Sequence, residues 1–216
     1  LILGSTSRYR RDLLERLRLP FTCVAPQVDE TPQPGEAPAA LALRLALAKA
    51  RAVAALHPQA VVIGSDQVAD LHGQAIGKPG SHERAVAQLQ QMSGQQVIFQ
   101  TAVAVVCAGS GFAEAAIAPV TVQFRFLSDT EIERYLRLDQ PYDCAGSAKS
   151  ESLGIALLPA IHSDDPTALI GLPLVIMSSA AFTPTRRGNR CVPPAPGSKP
   201  SVTSGSPTLA LDVAIR

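Results

Sequence analysis

Apolar residues fall along this chain in two rhythms that alternate. Leu1-Ile2-Leu3 is a short continuous apolar run that stops at Gly4, and Leu13, Leu14 and Leu17 then recur at helical spacing after Arg8. Phe21 to Ala25 reads as a second strand, and Pro26 to Pro38 as a polar, proline-rich loop. Pro38 suits the first turn of a helix to Leu56 with Leu41, Leu45, Ala48 and Ala52 on one face. Val61-Val62-Ile63 is read as a short buried strand ending at Gly64, and Ser81 as the cap of a helix reaching Met92. Alternation from Val97 to Val106 and from Ile117 to Phe126 predicts a long β-hairpin. Ser128-Asp129-Thr130-Glu131 is a capping box that opens a helix to Leu138. Strands and helices alternate throughout, so the expected fold is α/β, a twisted mixed sheet flanked by helices.

The pattern changes after Met177. Residues 178–216 hold 6 of the 18 prolines and five basic residues against the single acid Asp212. Such a stretch buries too little apolar surface to offset its ordering entropy, so the expected division is a folded unit at 1–177 and a Pro/Ser-rich disordered or aberrant tail at 178–216. Net charge is +1, which argues against a broad polycationic surface for nucleic acid. No apolar run has the roughly 18 residues of a membrane span, and no basic-then-apolar leader opens the chain. The expectation is a cytoplasmic protein with neither membrane nor nucleic-acid partner. Cys23, Cys107, Cys144 and Cys191 lie far apart without a Cys-x-x-Cys pair, which suits reduced, buried thiols better than a zinc site or disulfide frame.

Chemistry-bearing residues cluster at the element junctions. Gly4-Ser5-Thr6-Ser7 between a strand and a helix points backbone N–H groups and a positive helix end at one spot, with Arg8, Arg10 and Arg11 adjacent; phosphate is the matching ligand. The same corner also suits an ordinary turn in which Ser7 caps the helix. Asp66, in Gly64-Ser65-Asp66-Gln67-Val68, is expected at a strand end on the lip of the sheet, where a carboxylate takes a proton from water or holds a divalent cation, or simply closes a turn. Lys78 lies in the tight turn Gly77-Lys78-Pro79, Lys49 on a largely apolar helix, and Asp29-Glu30 on the proline-rich loop. Together these are the parts of metal-assisted phosphate chemistry.

Ser5-Thr6-Ser7 with Arg10-Arg11, Val28-Asp29-Glu30-Thr31, Ala48-Lys49-Ala50, Gly64 to Val68, Gly77-Lys78-Pro79, Tyr142 to Gly146 and Gly171-Leu172-Pro173 resemble, in order, the motifs of the Maf family of nucleoside triphosphate pyrophosphatases. The resemblance implies two lobes around a nucleotide cleft, frequent homodimers, and hydrolysis of a nucleoside triphosphate to monophosphate and pyrophosphate with Mg²⁺ or Mn²⁺. It makes Asp66 the general base, and Ser5, Ser7, Arg10, Lys49 and Lys78 the groups that hold the triphosphate. Glu30 becomes a metal ligand, a role in which Asp66 is the alternative.

Three positions bear on base choice. The branch resembling pyrimidine triphosphatases has arginine at the place of Tyr9 and glutamine at that of Glu151; Tyr9, Gln67 and Glu151 here resemble the 7-methyl-GTP branch. N7-methylguanine carries a ring cation, which an aromatic face attracts and a carboxylate pairs with. The alternatives are a dTTP/UTP pyrophosphatase of the same family and a non-catalytic nucleotide-binding regulator of cell division. Two departures stand out: Arg8 occupies the place of the family's proline, and the segment after Leu174 runs into Ser178 and the proline-rich tail instead of continuing as an amphipathic helix.

Overall fold

The computed structural model describes residues 1–178, 185–187 and 190–192. The chain runs β1 (Ile2–Leu3), α1 (Arg8–Glu15), β2 (Thr22–Cys23), α2 (Pro38–Leu56), β3 (Val62–Leu71), β4 (Gln74–Ile76), α3 (His82–Met92), β5 (Gln96–Cys107), β6 (Phe112–Gln123), α4 (Asp129–Asp139), β7 (Ala160–His162) and α5 (Leu174–Met177). A small antiparallel ribbon, β8 (Thr185–Arg187) with β9 (Arg190–Val192), follows. Apart from that ribbon and Ser178, the tail inferred for 178–216 lies outside the described residues.

The main sheet has the order β2-β1-β3-β5-β6-β7, with β4 paired to β3. β1 runs parallel to β2 and β3, and the remaining pairs are antiparallel, so the sheet is mixed as expected. β3, β5 and β6 have 10, 12 and 12 residues and pass through both lobes. At one end their faces are covered by α2, through Leu41, Leu45, Ala46, Ala50 and Val53, and by α1, through Leu13 and Leu14. At the other end Leu89 and Met92 of α3 and Ile132 and Leu136 of α4 pack on Phe99, Val120 and Val122. The cleft lies between these two packed ends.

Of the thiols expected to be buried, Cys107 is, Cys144 is half-buried and Cys23, on a strand at the edge of the sheet, is exposed. A second expectation fails in a more informative way. The strand read as ending at Gly64 continues to Leu71, with Gly64 opposite Ala104 and Asp66 opposite Ala102. Gly64 marks a close approach: a Cβ there would meet the Ala46 carbonyl oxygen and stand 2.6 Å from the Ala50 nitrogen of α2. Asp66 therefore sits mid-strand on the floor of the cleft, not on the lip of the sheet. The hairpin partner strand also starts earlier, at Phe112, because Gly111 takes a left-handed φ of 71° that closes the turn tightly. The helices at 38–56, 82–92 and 129–139 match their expected bounds within a residue, and the Ser128–Glu131 capping box forms in full.

Candidate active site

Depth in the sheet gives the floor of the cleft its chemistry. Lys49 projects from α2 and Asp66 from β3, and Lys49 Nζ lies 2.7 Å from Asp66 Oδ1 and 2.9 Å from Glu30 Oε1. The Lys49 and Asp66 side chains are 7% and 10% exposed, whereas that of Glu30 is 55% exposed. A buried lysine is costly unless paired, and two carboxylates converging on one ammonium supply the pairing. Glu30 reaches it because its loop is pinned: Arg44 of α2 grips both oxygens of Glu36 at 2.6 and 2.7 Å and donates to the Thr31 carbonyl. That fork holds the Glu36 carboxyl down at about 2.

The Ser5–Arg10 corner forms the adjoining wall. Ser7 is the N-cap of α1, its Oγ accepting from the Arg10 amide at 3.4 Å, and the buried Ser5 Oγ accepts from the Ser7 amide at 3.1 Å. The capping reading and the anion-site reading thus describe one structure. Arg10 Nε donates to the Gly171 carbonyl at 2.9 Å, an oxygen that also accepts from the buried Ser65 hydroxyl at 2.9 Å. Gly171 has φ +124°, open to glycine and strained for other residues, and this turn aims its carbonyl inward. Burial lowers the Arg10 guanidinium from its ordinary value while Asp66 and Glu30 hold it up. It remains a cation.

The base-side candidates line the same cleft. Gln67 Nε2 lies 2.8 Å from Thr101 Oγ1, 3.0 Å from the Ala168 carbonyl and 3.0 Å from the Leu169 carbonyl. Thr101 itself donates to Ala168, so all three partners are acceptors and the amide nitrogen must face them. Gln67 is therefore a latch on the 168–169 turn, and only its carbonyl is left for a ligand. Tyr9 is half-buried, and burial raises its phenol to about 12. Its face, expected to be open to a cationic ring, already carries one: the Arg8 guanidinium carbon is 4.8 Å from the ring centroid and Nη2 donates to the phenol oxygen at 2.8 Å. Arg8 is drawn there by the cation–π attraction assigned to the ligand. Glu151 is exposed, yet the protein crowding its carboxyl raises it above the usual range, with Asp139 adding and Lys149 opposing.

Lys78 is exposed on the turn between β4 and α3, whose Gly77 carbonyl accepts from Gln88 Nε2 at 3.1 Å and from the Gly146 amide at 3.3 Å. Ser5, Ser7, Tyr9, Arg10, Glu30, Lys49, Asp66, Gln67, Lys78 and Glu151, the full set inferred from the sequence, line one cleft of about 440 Å³, within the roughly 300–1,000 Å³ of small-molecule sites. Arg8, Asp143, Cys144 and Ala148 also line it, and burial lifts the Cys144 thiol to about 12. The anchoring roles of Ser65, Gln88 and Thr101 carry no sequence signal, because they are hydrogen bonds to groups brought close only by folding.

Among the described residues no three His, Cys, Asp or Glu side chains converge as a metal cage. Glu30 and Asp66 nevertheless fit a hard cation in the manner of Mg²⁺, which takes one or two carboxylates and completes its shell with phosphate oxygens and water. No helix among the described residues is long and apolar enough to cross a membrane.

A family model described as "Maf-like protein" matches residues 1–180. The chain is 71% identical over 175 residues to a 7-methyl-GTP pyrophosphatase of Polaromonas sp. strain JS666, covering 81% of this chain and 80% of that protein. It is 69% identical over 175 residues to the 7-methyl-GTP pyrophosphatase of Albidiferax ferrireducens (81% and 88% covered), and 61% identical over 178 residues to that of Bordetella pertussis (82% and 88%).

Proposed function

We propose, from the premise that the chain belongs to the Maf-like protein family, that it hydrolyses 7-methyl-GTP or a closely related modified nucleotide to the monophosphate and pyrophosphate. The observation that carries this reading is the lining of a single cleft: a buried carboxylate–ammonium pair on its floor, the cations Arg10 and Lys78, and the acceptors Glu151 and Gln67. The cations suit a triphosphate. The acceptors suit guanine, whose N1–H and amino group are donors. The names of the relatives favour 7-methyl-GTP over a pyrimidine triphosphate.

In this reading Asp66 takes a proton from water as the water oxygen attacks the α-phosphorus, and the bond from that phosphorus to the bridging oxygen breaks. Lys49 holds Asp66 Oδ1 in place and counters phosphate charge, and Arg10, Lys78, Ser5 and Ser7 receive the departing pyrophosphate. Mg²⁺ or Mn²⁺ held by Glu30 and Asp66 would neutralise phosphate charge when bound. A cytoplasmic location, a homodimer and the absence of nucleic-acid partners complete the reading, which suits an enzyme of the free nucleotide pool. The test is pyrophosphate release across a panel of canonical and modified nucleoside triphosphates, with 7-methyl-GTP expected at the highest kcat/KM. Equal turnover of 7-methyl-GTP and dTTP or UTP overturns the base assignment.

A further inference from the structure

The segment that carries Glu151 is fastened at both ends to the last turn of α4. Lys149 is 7% exposed, and its ammonium meets no carboxylate among the described residues; it donates to the Asp139 carbonyl at 2.8 Å and, more weakly, to that of Gln140 at 3.4 Å. Those carbonyls are at the negative end of the helix, a fitting partner for a cation. On the other side of Glu151, the Ser152 hydroxyl donates to Asp139 Oδ1 at 2.5 Å.

The backbone between the tethers is closed on itself. The Lys149 amide donates to the Tyr135 hydroxyl at 3.2 Å, and the Lys149 carbonyl accepts from Ser152 N at 3.2 Å. Gly154 packs so tightly that a Cβ there would stand 2.6 Å from Lys149 N. The entry to this strap is fixed as well: Gly146 and Ser147 both have positive φ, 66° and 53°, and Ser147 Oγ donates to Gln88 Oε1 at 2.6 Å.

This construction is expensive. A buried lysine satisfied by carbonyls alone contributes little to stability compared with an apolar side chain of its length. Asp139 Oδ2 is also the one buried side-chain oxygen or nitrogen among the described residues without a hydrogen-bond partner. Polar groups kept at such cost earn an explanation in what they hold, and what they hold is the residue between them.

We propose that Lys149 is a positioning residue for base selection: through the Lys149–Asp139–Ser152 strap it fixes Glu151 where that carboxylate meets the purine. The inference rests on the reading of Glu151 as the base-recognising group. Because base contacts lie far from the reacting phosphorus, loss of positioning acts mainly on KM and mainly on the cationic base.

The test measures kcat and KM for 7-methyl-GTP and GTP in the wild type, Lys149→Met, Lys149→Arg, Glu151→Gln and the Lys149→Met/Glu151→Gln double variant. Glu151→Gln is expected to lower the 7-methyl-GTP to GTP ratio of kcat/KM by about tenfold. Lys149→Met should lower it roughly threefold to tenfold, chiefly through KM, and Lys149→Arg should restore most of the loss. The double variant should show the ratio of Glu151→Gln alone, since a displaced glutamine has no further charge to lose. A normal ratio in Lys149→Met alongside a lowered one in Glu151→Gln, or losses that multiply in the double variant, overturns the proposal. Should Glu151→Gln itself leave the ratio unchanged, the base reading fails and the positioning role falls with it; that single variant tells the two failures apart. If Lys149→Met does not fold, Ser152→Ala removes the other tether from an exposed site, and an unaltered ratio there is equally fatal.

Discussion

Replacing each partner of the floor ion pair in turn separates chemistry from stability, because the two charges are not equally supported. In Asp66→Asn the Lys49 ammonium keeps Glu30 at 2.9 Å, and the new amide oxygen occupies the position that accepts at 2.7 Å. No buried charge is orphaned, so the expected cost is that of weakening a charge-assisted hydrogen bond, about 1–2 kcal/mol. For a chain of this size that lowers Tm by roughly 2–8 °C. In Lys49→Met two carboxylates lose their shared cation, and Asp66 is only 10% exposed; the cost of a broken buried pair is about 3–5 kcal/mol, or roughly 6–20 °C. Activity should rank the other way in kind: Asp66→Asn loses the proton acceptor and falls about 10²–10⁴-fold in kcat, while its affinity for a non-hydrolysable 7-methyl-GTP analogue, measured without divalent metal, holds or improves, one negative charge having left the triphosphate site. Calorimetric unfolding, pyrophosphate release and titration with the analogue read the three quantities. Two results refute the reasoning: a well-folded Asp66→Asn within tenfold of wild-type kcat removes Asp66 as base, and equal Tm losses in the two variants remove Glu30 as the second counter-ion.

Hydrolysis in ¹⁸O water should place the label in the nucleoside monophosphate; label in pyrophosphate means attack at the β-phosphorus. Gly64→Ala should cost about 3 kcal/mol, the upper end for overpacking, because the neighbours of the added methyl are the α2 backbone at Ala46 and Ala50; a Tm within a degree of wild type contradicts the close approach. Glu151 has its carboxyl raised in the folded protein, so its contribution to stability is present at acid pH, below its unfolded value, and is lost as pH rises through the folded one. Glu151→Gln should therefore raise Tm near pH 8 and give no gain near pH 4, and a gain that is largest in acid would reverse the sign of the reasoning.

Most of the α/β order was readable because the relevant signals are local. A proline at the first helical position, a serine three residues before a glutamate and an apolar repeat each act within one turn of helix, and α2, α3 and α4 begin and end where those signals put them. β3 was cut short for a reason that is not local. A glycine after three apolar residues looks like punctuation, whereas here Gly64 is the contact through which a strand and a helix approach closely. The same distinction divides the site. Lys49 and Lys78 announce themselves because a charge beside small or apolar neighbours is unusual in sequence, Arg10 because it adjoins the hydroxyl corner Ser5-Thr6-Ser7, and Asp66 because it follows a buried apolar run. Their supports do not, since Ser65, Thr101 and Gln88 act on carbonyls and side chains 37, 67 and 59 residues away.

Arg8 shows the limit from the other direction. Reading Tyr9 as an aromatic face for a cation was sound physics, but the chain supplies its own cation from the preceding residue, at the place where a proline would have had none to offer. An exposed cation–π contact is worth only about 0.5–1 kcal/mol, so on the proposed base site a methylated purine bringing its own charge, its stacking area and a partner in Glu151 would displace Arg8 at small cost. A neutral base gains no such exchange. If Tyr9 and Glu151 form the base site, as proposed, Arg8 works in the same direction as Glu151: it adds a small penalty for occupying the Tyr9 face, which a cationic ring offsets by taking over the contact.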